Sequence, residues 1–333
     1  MMGVTARVLV GDVRDRLAGV EAGSVQTCVT SPPYWGLRDY GNDGQIGLEG
    51  TPEEFVESLC LVFDEVWRVL ADDGTLWLNL GDSYAAQRGG SYQPAETLAG
   101  GVSGVASDGS KTNRGRGEGY SPARNASAIG LKHKDLVGIP WRVAFALQAR
   151  GWFLRSEIIW HKPNPMPESV TDRPTKSHEH IFLLAKSAKY FYDHESIKEP
   201  ANPEYAARYL YGFGGAKNQE LSDSGYGATK PIGEREYDGK RNKRDVWTVP
   251  TKPYSGAHFA VYPTALIEPC ILAGSREGDT VLDPFSGSGT TGVVALRNGR
   301  NYLGCELNPE YAELSRKRIS DDCGMFGEVT VDE

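Results

Sequence analysis

Two short stretches of the chain carry residue types that do chemistry only when their spacing is right. The first runs Asp283-Pro284-Phe285-Ser286-Gly287-Ser288-Gly289-Thr290-Thr291-Gly292. Gly287, Gly289 and Gly292 fit the pattern G-x-G-x-x-G, which lets a backbone turn sharply and approach a ligand closely. Glu306 follows about twenty residues after the first glycine, where a carboxylate can accept both hydroxyls of an adenosine ribose. The lysine of a phosphate-binding Walker loop is missing. Asp283, ahead of the turn, would repel a pyrophosphate docking on the next helix, but it would attract an ammonium group. S-adenosylmethionine combines adenosine, no phosphate and a cationic amino-acid tail, so the turn fits it better than a dinucleotide. A tight turn with a purely structural role remains open. The second stretch is Ser31-Pro32-Pro33-Tyr34. Its prolines stiffen the backbone and hold the Pro32 carbonyl in place. Ser31 adds a second acceptor and Tyr34 a flat π-face. The three can clamp a planar group through an exocyclic amine. A proline-stiffened turn with a core tyrosine is the plainer alternative.

These stretches need elements to position them. Ala6–Val10 and Val25–Thr30 have the β-branched character of strands, and the second stops at Ser31-Pro32-Pro33. A helix is expected from Thr51, with a capping threonine, Pro52 and two early glutamates, its apolar spacing carrying it up to Asp73-Gly74. Strands are expected at Thr75–Leu80, Phe153–Trp160, His180–Leu184, Tyr190–Tyr192, Thr280–Leu282 and Asn301–Cys305. Helices are expected at Ile139–Arg150, Pro263–Gly274, Thr290–Asn298 and Pro309–Ile319. The alternation predicts an α/β protein with a mainly parallel sheet. Residues 86–130 hold ten glycines without apolar periodicity and read as a mobile loop; residues 196–244 are polar, glycine-rich and charge-dense.

Composition narrows the classes. The chain has 333 residues, a formal charge of −8, 39% hydrophobic and 24% charged residues, an ordinary balance that argues against wholesale disorder. An acidic total does not exclude nucleic acid, since binding needs only a local basic face. No apolar run is long enough for a membrane span, and Met1–Asp12 has no secretory h-region, so a cytoplasmic protein is expected. Five scattered cysteines without a CxxC pair argue against a disulfide framework or a zinc ribbon. His178 and His180 stand two apart with no cysteine nearby, so no metal site is assigned. Pro269-Cys270 could mimic a nucleophilic cysteine for attack on a cytosine ring, but it lies within a helical stretch and reads as core.

Taken together, Ser31-Pro32-Pro33-Tyr34 and the Asp283–Thr291 turn resemble the amino-group DNA methyltransferases, which methylate cytosine N4 or adenine N6 from S-adenosylmethionine. The clamp precedes the cofactor motif, the order of the permuted, β-class group of that family. The resemblance implies an α/β, Rossmann-like methyltransferase fold: a mainly parallel twisted sheet flanked by helices, with two inserted loop or recognition segments. It implies a catalytic set of Ser31, Pro32, Pro33 and Tyr34. Cofactor contacts are implied at Asp283, Phe285, Gly287, Gly289, Thr290, Thr291 and Glu306. Asp12 is similar to an N-terminal aspartate that holds the adenine amine. His258, Pro263 and Thr264 lie in a segment resembling the one that meets the cofactor's methionine end. The implied division is 1–85 and 131–195 as catalytic parts, 86–130 as the mobile insertion, 196–244 as the target-recognition insertion and 245–333 as the cofactor-binding part. Lys240, Arg241, Lys243 and Arg244, with Tyr205 and Tyr209, are candidates there for contact with DNA. The implied partner is double-stranded DNA, with a target base flipped out of the duplex and no membrane. A cognate restriction endonuclease and a homodimer stay open. Serine at the first clamp position favours cytosine N4, since adenine enzymes more often carry aspartate or asparagine; adenine N6, and more remotely an RNA or protein amide, stay open as substrates.

Overall fold

Short β-branched stretches form the strands of the computed structural model, and the periodic stretches form its helices. It describes residues 3–37, 39, 41–85, 126, 129–202, 239–251, 261–324 and 327–332. The order is β1 (Val4–Val10), α1 (Val13–Ala18), β2 (Val25–Thr30), α2 (Pro52–Val69), β3 (Leu70–Leu80), α3 (Ile139–Ala149), β4 (Phe153–His161), β5 (His178–Ala185), β6 (Glu199–Pro200), β7 (Lys240–Arg241) and β8 (Val246–Thr248). Then come α4 (Thr264–Gly274), β9 (Thr280–Asp283), α5 (Thr290–Arg297), β10 (Asn301–Glu306), α6 (Pro309–Cys323) and β11 (Gly327–Asp332). Two compact units result. One is Met1–Tyr192 with Asp245–Glu333, and the other is Asp193–Arg244.

In the larger unit the described strands form one sheet in the order β11-β1-β10-β9-β2-β3-β5-β4-β8. Only β5 runs against the rest; it pairs antiparallel with both β3 and β4. Alternate strand residues serve opposite faces, as a strand's period of two requires. Cys28, Leu76, Leu78 and Leu80 join one buried cluster with Leu17 of α1, Phe55, Leu59, Val62, Phe63 and Val66 of α2, and Val143 and Leu147 of α3. Each such side chain is worth about 1.5–3 kcal/mol when buried. On the other face Thr27 and Trp77 lie against Gly274 at the end of α4, followed by α5 and α6. Helices thus cover both faces, which is what near-continuous apolar strands such as β3 demand.

Helix α2 starts as its sequence predicts, with Thr51 and Glu54 forming a reciprocal capping box. It stops sooner than expected, at Val69. Leu70 already pairs with Val25, and the next paired residues are Thr27 and Thr75. Ala71–Gly74 therefore belong to an irregular strand entry, and pairing overrides the helical spacing. Tyr190–Tyr192 is not a strand: the Phe191 amide bonds to the Asp73 carbonyl and Tyr192 stacks on Trp77 at 6.3 Å. Three described elements of this unit, α1, β8 and β11, carry too few residues or too many charges to stand out in the sequence.

In the smaller unit β6 and β7 pair antiparallel, and Glu199 accepts from Arg241 at 2.8 Å and from Arg244 at 3.0 Å. Most of 86–130 and of 196–244, including Tyr205 and Tyr209, lies outside the described residues.

Candidate active site

The adjacent parallel strands β1, β10, β9, β2 and β3 all end on one edge of the sheet. Val10, Glu306, Asp283, Thr30 and Leu80 are their last residues. From β9 the chain continues to β10 on one side, and from β2 to β3 on the other. The crevice between β9 and β2 is thus a topological switch point, where open α/β sheets bind ligands.

A side-chain hydrogen bond spans this crevice. The Thr30 hydroxyl donates to Asp283 Oδ1 at 2.7 Å, joining residues 253 positions apart. Asp283 is 2% exposed. Its other partners are the Phe285 amide on the same oxygen, and the Thr291 and Tyr262 hydroxyls on Oδ2 at 2.7 and 3.2 Å. Burial pushes its carboxyl up from the ordinary value, while the Thr291 and Thr30 hydroxyls pull it back. All four acceptor directions are thus taken, so direct contact with a ligand ammonium requires Tyr262 or another donor to give way.

The glycine turn follows. Gly287 has φ +52 and Gly289 φ +74, a left-handed backbone that suits glycine. The Gly287 amide donates to Glu306 Oε2 at 2.8 Å, and the Asn308 amide to Oε1 at 3.0 Å. These bonds orient the half-buried Glu306 carboxylate; the Leu307 amide acts on it too, and acceptor capacity remains. Burial raises its pKa. Phe285 packs half-buried against the core cluster. Thr290 is buried, and its hydroxyl is bonded to Arg318 of α6 and not to the Asp283 cluster. Pro263 caps α4 and Thr264 opens it; His258 lies outside the described residues. Asp12, just after β1, caps α1 and grips Arg14, whose hydrogen bond holds the carboxyl below its ordinary value. The Gly11 amide beside it bonds to the Glu306 carbonyl at 2.9 Å.

On the β2 side Ser31 follows Thr30 directly. Pro32 is buried, and among the described residues no group donates to its carbonyl. The Tyr34 ring lies so close to Gly81, after β3, that a Cβ there would sit 2.4 Å from Tyr34 Cε2. Its phenol donates to Glu179 Oε2 at 2.6 Å and accepts from Asn79 Nδ2 at 2.9 Å. Asn79 Nδ2 also reaches Ser31 Oγ at 3.3 Å. Lys162 bonds to the other oxygen of Glu179. Burial pushes the Tyr34 phenol well up, and the Glu179 charge adds to that. Burial acts to raise Glu179 too, but the Lys162 charge and the bonds from Lys162, Tyr34 and Asn79 outweigh it and hold the carboxyl below its ordinary value.

The structure therefore brings Ser31, Pro32 and Tyr34 to the strand end beside Asp283, with Gly287 and Glu306 at the next strand along. Neighbouring strands lie about 4.8 Å apart, so Thr30 and Glu306 are about 10 Å apart across the row. The sequence assigned no role to Thr30, Asn79, Lys162, Glu179 and Tyr262. The first four lie at or beside strand ends, and Tyr262 stands just ahead of α4. The donor set fits an adenosine carrying an alkylated, positively charged tail: a ribose acceptor at Glu306, no basic phosphate ligand in the turn, and a buried carboxylate beyond it.

Comparison with known proteins agrees with this layout. A family model described as DNA methylase, of the N6/N4 methyltransferase type, matches residues 25–317. The chain is 46% identical to the type II methyltransferase M.Cfr9I of Citrobacter freundii over 95% of its length and 88% of that protein's. It is 47% identical to M.SmaI of Serratia marcescens, covering 95% and 91%. Among solved structures, a Thermus thermophilus protein complexed with S-adenosyl-L-methionine shares the fold with a TM-score of 0.56 at 24% identity, covering 98% and 99%. The cytosine-N4-specific PvuII DNA methyltransferase does so at 0.58 and 18%, covering 99% and 95%. The chain belongs to the N6/N4 DNA methylase family, among the type II DNA methyltransferases.

Proposed function

We propose that this chain transfers a methyl group from S-adenosylmethionine to the exocyclic amine of a base flipped out of double-stranded DNA, and that the base is cytosine, methylated at N4. The observation that carries the reading is the Thr30–Asp283 bond, because it fixes the Ser31-Pro32 acceptors beside the strand ends that carry Asp283 and Glu306. Support for the cofactor comes from the donor set and from the Thermus protein of the same fold, whose structure holds S-adenosyl-L-methionine. Support for cytosine comes from serine at the first clamp position; the PvuII enzyme shares only the fold.

S-adenosylmethionine, when bound, supplies a methyl group on a positively charged sulfur. The protein's own residues do the rest. Glu306 is placed to hold the ribose, and Asp283 supplies the negative field for the amino-acid tail. An exocyclic amine is a poor nucleophile, because its lone pair is conjugated with the ring. Ser31 Oγ and the Pro32 carbonyl accept its two N–H bonds, which returns electron density to nitrogen and aims it; as nitrogen gains the methyl, one of these protons leaves to water. The Tyr34 ring supplies the stacking surface that replaces the neighbours lost on flipping. The rate gain comes from positioning and from preorganised dipoles, without a covalent enzyme intermediate.

The test is to incubate the protein with methyl-labelled S-adenosylmethionine and unmethylated genomic DNA or RNA, then identify the labelled nucleoside by mass spectrometry. N4-methylcytosine from duplex DNA is expected. N6-methyladenine would overturn the choice of base, and label in RNA or protein but not in duplex DNA would overturn the substrate.

A further inference from the structure

The base clamp is anchored on a carboxylate that lies in neither of its motifs. Glu179 stands on β5, the antiparallel strand beside β3, with its side chain 15% exposed. It receives the Tyr34 phenol proton, the Asn79 amide and the Lys162 ammonium. Two of these bonds lead back to the clamp, and the third supplies the counter-charge.

An ionised carboxylate only accepts hydrogen bonds, so it dictates the direction of every bond that reaches it. The phenol proton of Tyr34 has to point at Glu179. The Asn79 side chain has to turn its nitrogen towards Glu179, at 3.1 Å, and the same nitrogen then faces Tyr34 Oη and Ser31 Oγ. An independent observation shows that this orientation is imposed. Asn79 is 4% exposed, yet its Oδ1 has no hydrogen-bond partner. Leaving a buried acceptor unpaired costs about 1–3 kcal/mol, so an amide free to choose would turn that oxygen towards a hydroxyl.

We infer that Glu179 is a positioning residue for methyl transfer: by accepting the Tyr34 O–H and fixing the Asn79 amide, it keeps a lone pair of Ser31 Oγ free for the N–H of the incoming amine and pins the Tyr34 ring against Gly81. This rests on the methyltransferase reading above. Without the carboxylate the phenol can donate to Ser31 Oγ, which fills the acceptor that the amine needs. Lys162 balances the charge, which helps keep the carboxylate ionised.

Glu179→Gln tests it, because glutamine keeps the shape but can donate to the phenol oxygen and turn its proton away. Steady-state transfer to unmethylated genomic DNA should lose about tenfold or more in kcat, with the KM for S-adenosylmethionine and the melting temperature little changed. Glu179→Asp, which stays an acceptor-only anion, should recover most of that loss, and it serves as the probe should the glutamine variant fold poorly. In a Tyr34→Phe background, where only the Asn79 amide is left for the carboxylate to direct, Glu179→Gln should cost clearly less than in the wild-type protein. A kcat within about twofold of the wild type for Glu179→Gln, or an equal loss with and without the phenol, would overturn the role. No transfer by the wild-type protein would overturn the methyltransferase reading itself, a distinct result.

Discussion

Asp283 shows how one side chain can tie the site together. It is nearly inaccessible and carries four hydrogen bonds, two of them from β2 and α5. Its neighbour Thr30 is 1% exposed. Thr30→Val keeps the volume but removes the hydroxyl that crosses the crevice, leaving Oδ1 with only the Phe285 amide. We expect a loss of about 1–3 kcal/mol of stability, read as a lower urea midpoint, and a larger relative loss of methyl transfer. A stability unchanged within experimental error would mean that the β2–β9 tie is incidental. Ser31, Tyr34 and Asp283 were legible in the sequence, because each sits in a run whose composition is peculiar, and Glu306 through its spacing from the glycine turn. Asn79 and Glu179 were not. Glu179 meets Tyr34 from 145 positions away, and Asn79 looks like one polar residue in an apolar strand until the fold brings them together.

Among the elements, the turn from β9 into α5 does the most with the least sequence. Gly289 caps α5 with a left-handed backbone, and a Cβ built there would lie 2.4 Å from Ser315 Oγ and 3.2 Å from Ile319 Cδ1 of α6. Glycine is thus needed both for the turn and for the approach of α6. Gly289→Ala is expected to cost about 1–3 kcal/mol of stability from backbone strain and crowding, measurable by urea denaturation. No loss would mean that α6 shifts freely. The elements that patterning predicts well are those with a single strong period, such as α2 with its cap or β2 with its proline stop. It fails where pairing decides. Leu70 leaves the helical register because Val25 offers it a partner. Tyr190–Tyr192 has the composition of a strand but finds no strand to pair with. Charged β11 becomes an edge strand through six paired positions along β1.

Across the larger unit, the alternation of strands and helices was enough to foresee a mainly parallel sheet, but not the strand order that makes the site. That order sends the chain away from β9 and β2 in opposite directions and so opens the crevice between them. The clamp and the glycine turn, far apart in sequence, become neighbours for that reason alone, with Glu306 one strand further along. The small unit Asp193–Arg244 is held, among its described residues, by a two-strand pairing and the Glu199 ion pairs. The most direct check on the central claim is a crystal structure of the protein soaked with S-adenosylmethionine. Ribose hydroxyls bonded to Glu306 and a sulfur-bound methyl open towards Ser31 Oγ and the Pro32 carbonyl are expected. A cofactor bound away from the ends of β9 and β10, or with its methyl walled off from Ser31, would contradict the claim.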